Sequence, residues 1–134
     1  MEEKPIEIKQ VSEREIRVGE NILYLRENNI LDITNVGEID EKTAIAMKEA
    51  LLKLMNMVEG KVHALTDLNK AGKTTPQARN IFRGLAEHEK AGKVAQVGMH
   101  PVARVLGAFV MGVSKKKDFR FFKTREQALV WLKQ

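Results

Sequence analysis

The sequence predicts a single α/β domain. Its core is one mixed, mostly parallel β-sheet with an N-terminal β-hairpin and about four covering helices. Apolar runs typical of strands alternate with segments of helical periodicity in the order β, β, α, β, α, β, α, β, α. Strands that alternate with helices at this spacing favour right-handed crossovers and parallel pairing. A chain of 134 residues is long enough for one such domain with a sizeable core.

The N-terminal part predicts the hairpin. Residues 1–19 alternate loosely and are predicted to form a lead-in or a short edge strand, whereas the domain proper spans residues 20–134. Residues 21–27 and 30–36 are rich in strand-forming side chains. They are separated by two asparagines that tolerate the positive φ angles of a two-residue turn.

The central stretch predicts a buried strand over residues 61–68, a polar loop and then a helix over residues 75–91. Thr75 is a good N-cap, and Pro76 suits the first helical position. An earlier helix follows Asp40 and ends before Gly60.

The C-terminal part completes the alternation of strands and helices. Its predicted elements are strands over residues 93–99 and 118–122, a helix over residues 101–113 and a last helix capped by Thr124.

Composition excludes several classes of function. The chain has no cysteine, so it forms no disulfide, and its three histidines lack the spacing of metal ligands. His100 has no nucleophile or second carboxylate near it in sequence, so no catalytic residue is predicted. We expect no enzyme activity, no metal and no cofactor. The first ten residues are too polar for a secretory signal, and a cytoplasmic protein, peripheral to a membrane in one alternative, is the expectation.

Four stretches carry a resemblance to a known family: NILDITNVGEIDEKTA, LTDLNKAGKTTPQAR, RVLGAFVMG and FFKTREQALVWLKQ. In this order they resemble the SpoIIAA-like group of STAS domains, which are related to CRAL-TRIO-like lipid-binding modules. The resemblance implies a helix-covered sheet that serves as a regulatory or ligand-binding module.

The resemblance also implies a phosphorylation site. STAS anti-sigma-factor antagonists are phosphorylated on a serine near the start of the corresponding helix, and Thr74 and Thr75 are the nearest positions here. The chain departs from the family's Asp-Ser-Ser-Gly pattern at this point, since it carries Lys73, Thr74, Thr75 and Pro76.

The ends of the predicted strands suggest a ligand site. Open parallel sheets bind ligands outside the carboxyl ends of their strands. A polar rim is therefore one hypothesis, and loop caps without a ligand are the other. A P-loop is rejected because the first glycine before Gly72, Lys73 and Thr74 is missing. The predicted rim comprises Asp67, Asn69, Thr74, Thr75, His100 and Lys123.

The helix predicted over residues 101–113 is apolar on nearly all sides, so both sides need a cover. The candidates are the first helix of the same chain, a second subunit, a protein partner or a lipid. Seven basic and two acidic residues follow between Ser114 and Gln134, and a lysine run in a loop is usually a solvated connection. If the helix is a contact surface, the adjacent lysines 115–117 favour an acidic protein or an anionic headgroup. The predicted interaction surface comprises Arg104, Ala108, Met111, Lys115, Lys116 and Lys117.

The sequence thus predicts a non-enzymatic regulatory or interaction domain of the STAS type, which binds a protein partner or forms a homodimer. The alternative is a CRAL-TRIO-like module that binds an apolar ligand or an anionic membrane surface. Nucleic-acid binding is disfavoured, since the basic residues lack aromatic residues placed for base stacking.

Overall fold

A computed structural model describes residues 6–98 and 118–134. In these two ranges the chain forms seven strands and three helices. The helix predicted over residues 101–113 lies outside them. The strands are β1 (Ile8–Ser12), β2 (Glu15–Val18), β3 (Asn21–Leu25), β4 (Ile30–Ile39), β5 (Val62–Thr74), β6 (Ala91–Val97) and β7 (Phe119–Phe122). The helices are α1 (Glu41–Met55), α2 (Pro76–Ala86) and α3 (Arg125–Leu132).

The strands form one sheet in the order β1-β2-β3-β4-β5-β6-β7. The pairs from β1 to β4 are antiparallel, and the pairs from β4 to β7 are parallel. The predicted mixed sheet is confirmed, but its antiparallel part exceeds one hairpin because β1 and β2 add two strands. Ile16 and Val18 on β2 are buried, which explains why this stretch joins the sheet.

The predicted hairpin is β3 and β4, although its turn differs from the expectation. Leu23 pairs with Ile33 and Leu25 with Leu31, so these four leucine and isoleucine side chains share the buried face as predicted. The loop has three residues between Arg26 and Ile30 rather than two. Only its last residue, Asn29, has a positive φ, 63°. One left-handed residue after a tight turn is the usual solution for a three-residue hairpin loop.

The polar loop predicted after residue 68 is instead the second half of β5. This part of β5 continues in parallel beside the end of β4, with Val36 opposite Lys70 and Ile39 opposite Thr74. The two strands approach closely where a Cβ on Gly72 would lie 3.1 Å from the Gly37 carbonyl carbon. Glycine therefore permits a close strand contact here, whereas the sequence suggested a loop.

The predicted caps are confirmed at all three helices. The side chains of Asp40, Thr75 and Thr124 accept hydrogen bonds from backbone N–H groups in the first turns of α1, α2 and α3. Pro76 is in the first turn of α2, as expected.

Helix α2 ends at Ala86, five residues earlier than predicted, and β6 begins at Ala91. Gly92 is therefore a strand residue and not a helix stop. A Cβ at Gly92 would collide with the imidazole of His63 on the neighbouring strand. The Lys93 N–H donates to His63 Nδ1 at 2.9 Å, which fixes the ring in that space.

The core has two parts, one on each face of the sheet. The larger part packs α1 and α2 against β2 to β5 and includes the fully buried Leu23, Leu25 and Leu54. The smaller part lies under α3 and contains Leu65, Ala128 and Leu132. Side chains alternate along a strand, so neighbouring residues of β4 and β5 serve different faces.

Candidate functional site

A buried aspartate on β4 organises the face of the sheet that carries α3. Asp32 is 7% exposed and follows Ile30 on this face. Its Oδ2 accepts a hydrogen bond from Arg26 Nη1 at 2.8 Å. The same oxygen accepts a second, very short one from Arg125 Nη2 in the first turn of α3. A buried carboxylate needs such partners, and two guanidinium groups supply them.

Arg125 also reaches the next strand. Its Nη1 lies 3.2 Å from Asp67 Oδ2 on β5. Burial by itself lowers the pKa of the Arg125 guanidinium. The hydrogen bonds and charges of Asp32 and Asp67 outweigh that effect, so the pKa is raised above its usual value. Arg125 thereby joins the start of α3 to β4 and β5, and both carboxylates are paired with arginine.

The structure brings part of the predicted rim to this place. Asp67 Oδ1 accepts from the backbone N–H of Asn69 at 3.0 Å and from its Nδ2 at 2.9 Å. Lys123 is exposed two residues before Arg125. Asp67 pairs with Val97 at the carboxyl end of β6, and Val97 pairs with Phe122 at the carboxyl end of β7, just before Lys123. Asp67, Asn69 and Lys123 therefore lie around the carboxyl ends of β6 and β7, beside the middle of β5.

The rest of the rim is elsewhere. Thr74 and Thr75 are seven and eight residues beyond Asp67, and because β5 stays extended this corresponds to about 20 Å along the strand. His100 lies outside the described residues. The six residues therefore do not form one rim in the described part of the chain.

Thr75 is placed at the junction of β5 and α2. Its Oγ1 accepts from the Ala78 N–H at 3.2 Å, and its own N–H donates to the Ile39 carbonyl oxygen at 3.0 Å. Two cationic side chains lie beside it. Lys73 is exposed, and Arg79 Nη1 donates to the Thr74 carbonyl oxygen at 2.9 Å.

On the opposite face of the sheet, a cavity of about 180 Å³ lies under α1 and α2. Its walls are mostly apolar, with methionine and leucine from α1, phenylalanine and leucine from α2, and alternate residues of β4, β5 and β6. Two amide oxygens in these walls, Asn35 Oδ1 and Gln96 Oε1, are buried and have no hydrogen-bond partner. They are polar groups in a position where a core normally has none.

The sequence analysis did not find this cavity or the Asp32 cluster. A signal for the cavity exists in the alternation along β4, because Asn35 follows Leu31 and Ile33 on the inward face. A signal for the cluster is Asp32 within the apolar run ILDI, since a carboxylate among buried residues needs a cationic partner.

The predicted interaction surface, with Arg104, Ala108, Met111, Lys115, Lys116 and Lys117, lies outside the described residues. Across residues 6–98 and 118–134, no group of three or more potential metal-binding side chains is present. The helices in these ranges are too short or too polar to span a bilayer.

Two solved structures share this architecture. One is an uncharacterised protein of the DUF3478 family from Shewanella loihica PV-4, described as having a SpoIIAA-like fold. It aligns with a TM-score of 0.65 and 16% identity over 98% of each chain. The other is the anti-sigma factor antagonist SpoIIAA in its unphosphorylated form, with a TM-score of 0.60 and 12% identity over 84% of this chain and 97% of that one. The predicted SpoIIAA-like fold is thereby confirmed.

At the level of sequence, no curated protein matches this chain. A family match covers residues 18–134, from the last residue of β2 to the C-terminal glutamine. The chain therefore belongs to the family described as domain of unknown function DUF7793.

Proposed function

We propose that this protein is a non-enzymatic regulatory domain that acts by binding a protein partner, with the junction of β5 and α2 as the contact surface. The single observation that supports this most strongly is the position of Thr75. It caps α2 at the carboxyl end of β5, in a fold shared with a protein described as an anti-sigma factor antagonist. That protein's structure is of its unphosphorylated form, so a phosphorylated form is implied for it.

The surroundings of Thr75 suit a switch by phosphorylation. A phosphate on Thr75 Oγ1 would lie at the N-terminus of α2, where backbone N–H groups and the helix dipole favour negative charge. Lys73 and Arg79 are the basic residues close to Thr75 in sequence, and Arg79 Nη1 donates to the Thr74 carbonyl oxygen. The exposed carboxylates of Glu38 and Asp40 flank Ile39, whose carbonyl oxygen accepts from the Thr75 N–H. Thr74 is the second candidate, since it precedes Thr75 at the end of β5.

Three aspartates of the described residues are engaged in the fold, which argues against their use in catalysis. Asp32 and Asp67 are hydrogen-bonded to arginine side chains, and Asp40 accepts from the first turn of α1. A general base needs a carboxylate that is able to accept a substrate proton, and these three are engaged in the fold.

The contact surface can be tested by matched charge reversals. Lys73→Glu changes the proposed surface, whereas Lys48→Glu changes an exposed lysine on α1 and serves as the control. Thr75→Asp keeps a good N-cap and adds the negative charge of a phosphorylated residue. Tagged versions of all three variants and the unchanged chain are used to recover proteins from the native host, and the recovered proteins are identified by mass spectrometry.

We expect one partner to be recovered with the unchanged chain and with Lys48→Glu, and at least tenfold less of it with Lys73→Glu and Thr75→Asp. If the partner is a second copy of this chain, light scattering at high concentration should give the mass of a dimer for the unchanged chain and for Lys48→Glu. Lys73→Glu and Thr75→Asp should then give a lower mass. Equal recovery and equal mass for all four proteins would reject the junction as a contact surface.

A further inference from the structure

The cavity between the sheet and the two helices is large enough for a small organic molecule. Its volume is about 180 Å³. An engineered protein cavity of about 150 Å³ lined by apolar side chains binds benzene. The space under α1 and α2 therefore accommodates one substituted ring or a molecule of similar size.

The two unpaired amide oxygens belong to one part of this cavity. Gln96 pairs with Thr66 across β5 and β6, and Thr66 pairs with Ile33 across β4 and β5. Asn35 is two residues beyond Ile33 and points to the same face. Asn35, Thr66 and Gln96 thus form a polar group on the cavity floor, which Leu31 and Val62 continue as an apolar surface.

The burial of Asn35 makes this arrangement costly for an empty protein. The residue is only 8% exposed, and its Oδ1 has no partner. A buried acceptor without a donor destabilises a fold, so nearly all such groups in natural proteins are paired. A bound molecule that supplies a donor would remove this cost.

We propose that this cavity is a binding site for a small neutral molecule with an apolar body and one hydroxyl or amide donor, which hydrogen-bonds to Asn35 Oδ1 or Gln96 Oε1. An anion is disfavoured at the cavity floor because two carbonyl-type oxygens face it, whereas the charged lining residue Arg79 lies on α2 and donates to the Thr74 carbonyl oxygen. A cation is disfavoured because no carboxylate is among the described residues that line it. On the α2 side of the cavity, Phe82 and Leu85 are only partly buried.

Two probe molecules of the same shape test the proposal. 4-Methylphenol and 1,4-dimethylbenzene differ only in a hydroxyl that replaces a methyl group. Burial of apolar surface alone favours the dimethylbenzene. A hydrogen bond to the cavity amides favours the phenol by about tenfold. Binding of each to the full chain is measured by titration of backbone amide signals in NMR spectra, which also shows whether the shifts lie at residues of the cavity.

We expect 4-methylphenol to bind about tenfold more tightly than 1,4-dimethylbenzene. With Asn35→Leu, which has a similar shape but no acceptor, the preference should fall or reverse. Ala64→Leu fills the cavity floor and should abolish the binding of both probes. If that variant does not fold, Ala86→Leu on α2 fills the space from the other side.

The proposal is overturned if neither probe shifts cavity signals at about 1 mM, which corresponds to a very weak complex. It is also overturned if the dimethylbenzene binds as tightly as the phenol, or if Asn35→Leu leaves the preference unchanged. The cavity wall includes Thr74 and Arg79 and so borders the junction of β5 and α2. The two proposals still have separate readouts, because probe binding is tested with Asn35→Leu and partner recovery is tested with Lys73→Glu.

Discussion

Two buried polar side chains of β4, one on each face of the sheet, differ in their hydrogen bonding. Asp32 and Asn35 are three residues apart on β4, so alternation sends them to different faces. They are almost equally buried, at 7% and 8% exposed. On the α3 face, Asp32 has hydrogen bonds from two arginines, whereas on the α1 and α2 face the Asn35 Oδ1 atom has no partner.

This difference separates a structural role from a functional one. A buried carboxylate with arginine partners can hold secondary-structure elements together, and the Asp32 cluster joins β4, β5 and α3 in this way. An unpaired amide in a cavity contributes no bond that holds the fold. The proposed ligand would supply the hydrogen-bond donor that Asn35 Oδ1 lacks.

The largest effect is expected for Asp32→Leu. The change leaves the guanidinium groups of Arg26 and Arg125 without their shared carboxylate, and Arg125 retains only Asp67. Because both arginines are partly exposed, we expect the free energy of unfolding to fall by roughly 2–3 kcal/mol, less than for a fully buried ion pair. Urea denaturation followed by circular dichroism measures it. A loss below about 0.5 kcal/mol would show that the cluster does not stabilise the fold.

Asn35→Leu should stabilise the fold, in contrast to Asp32→Leu. The substitution removes an unpaired buried acceptor and adds apolar surface to the cavity wall, so we expect the free energy of unfolding to rise by about 1 kcal/mol. The same urea experiment without any added ligand tests this. If the variant is less stable than the unchanged chain, Asn35 has a structural role and the contrast between the two faces is wrong.

A smaller loss of stability is expected when either arginine of the Asp32 cluster is replaced, and the two losses should differ. Arg125 contacts two carboxylates and Arg26 contacts one. We therefore expect Arg125→Gln to cost about 1–2 kcal/mol and Arg26→Gln about half as much. Thermal unfolding at low and high salt compares them, and both costs should decrease as salt is added. An equal or larger cost for Arg26→Gln would contradict the bridging role of Arg125.

The smallest expected effect on stability concerns Asp40, the exposed N-cap residue of α1. The Thr43 backbone N–H donates to Asp40 Oδ1 at 2.8 Å, and this hydrogen bond lowers the pKa of Asp40 below its usual value of 3.8. A group with a lowered pKa in the folded state stabilises the fold above its unfolded pKa, and this contribution is lost as pH falls through the folded pKa.

Asp40→Asn keeps an N-cap but does not titrate. The variant should therefore lose less thermal stability than the unchanged chain between about pH 5 and pH 2. The difference is small because Asp40 is solvent-exposed. Melting temperatures measured across this pH range test it, and identical slopes would mean that the cap does not contribute.

Local sequence signals predicted much of the fold. The N-caps Asp40, Thr75 and Thr124 each follow from a short polar side chain ahead of a helical pattern. The shared buried face of Leu23 and Ile33 follows from alternation along each strand, whereas their direct pairing comes from the three-residue turn and was not predicted. These features depend on residues close together in the sequence.

Features that depend on distant residues were not predicted. Arg125 reaches Asp32 across 93 positions, and no local pattern indicates that contact. The second half of β5 is polar and contains glycine, yet it is a strand because Gly72 can lie close to Gly37 in the neighbouring strand. The cavity depends on how far α2 lies from the sheet, and the amphipathic pattern of that helix gives only its direction.

The most direct test of the contrast between the two faces is a crystal structure of the full chain soaked with 4-methylphenol. We predict one molecule in the cavity under α1 and α2, with its hydroxyl oxygen about 2.7 Å from Asn35 Oδ1 or Gln96 Oε1. An ordered water bonded to Asn35 in place of the phenol, or side chains that close the space, would contradict the account.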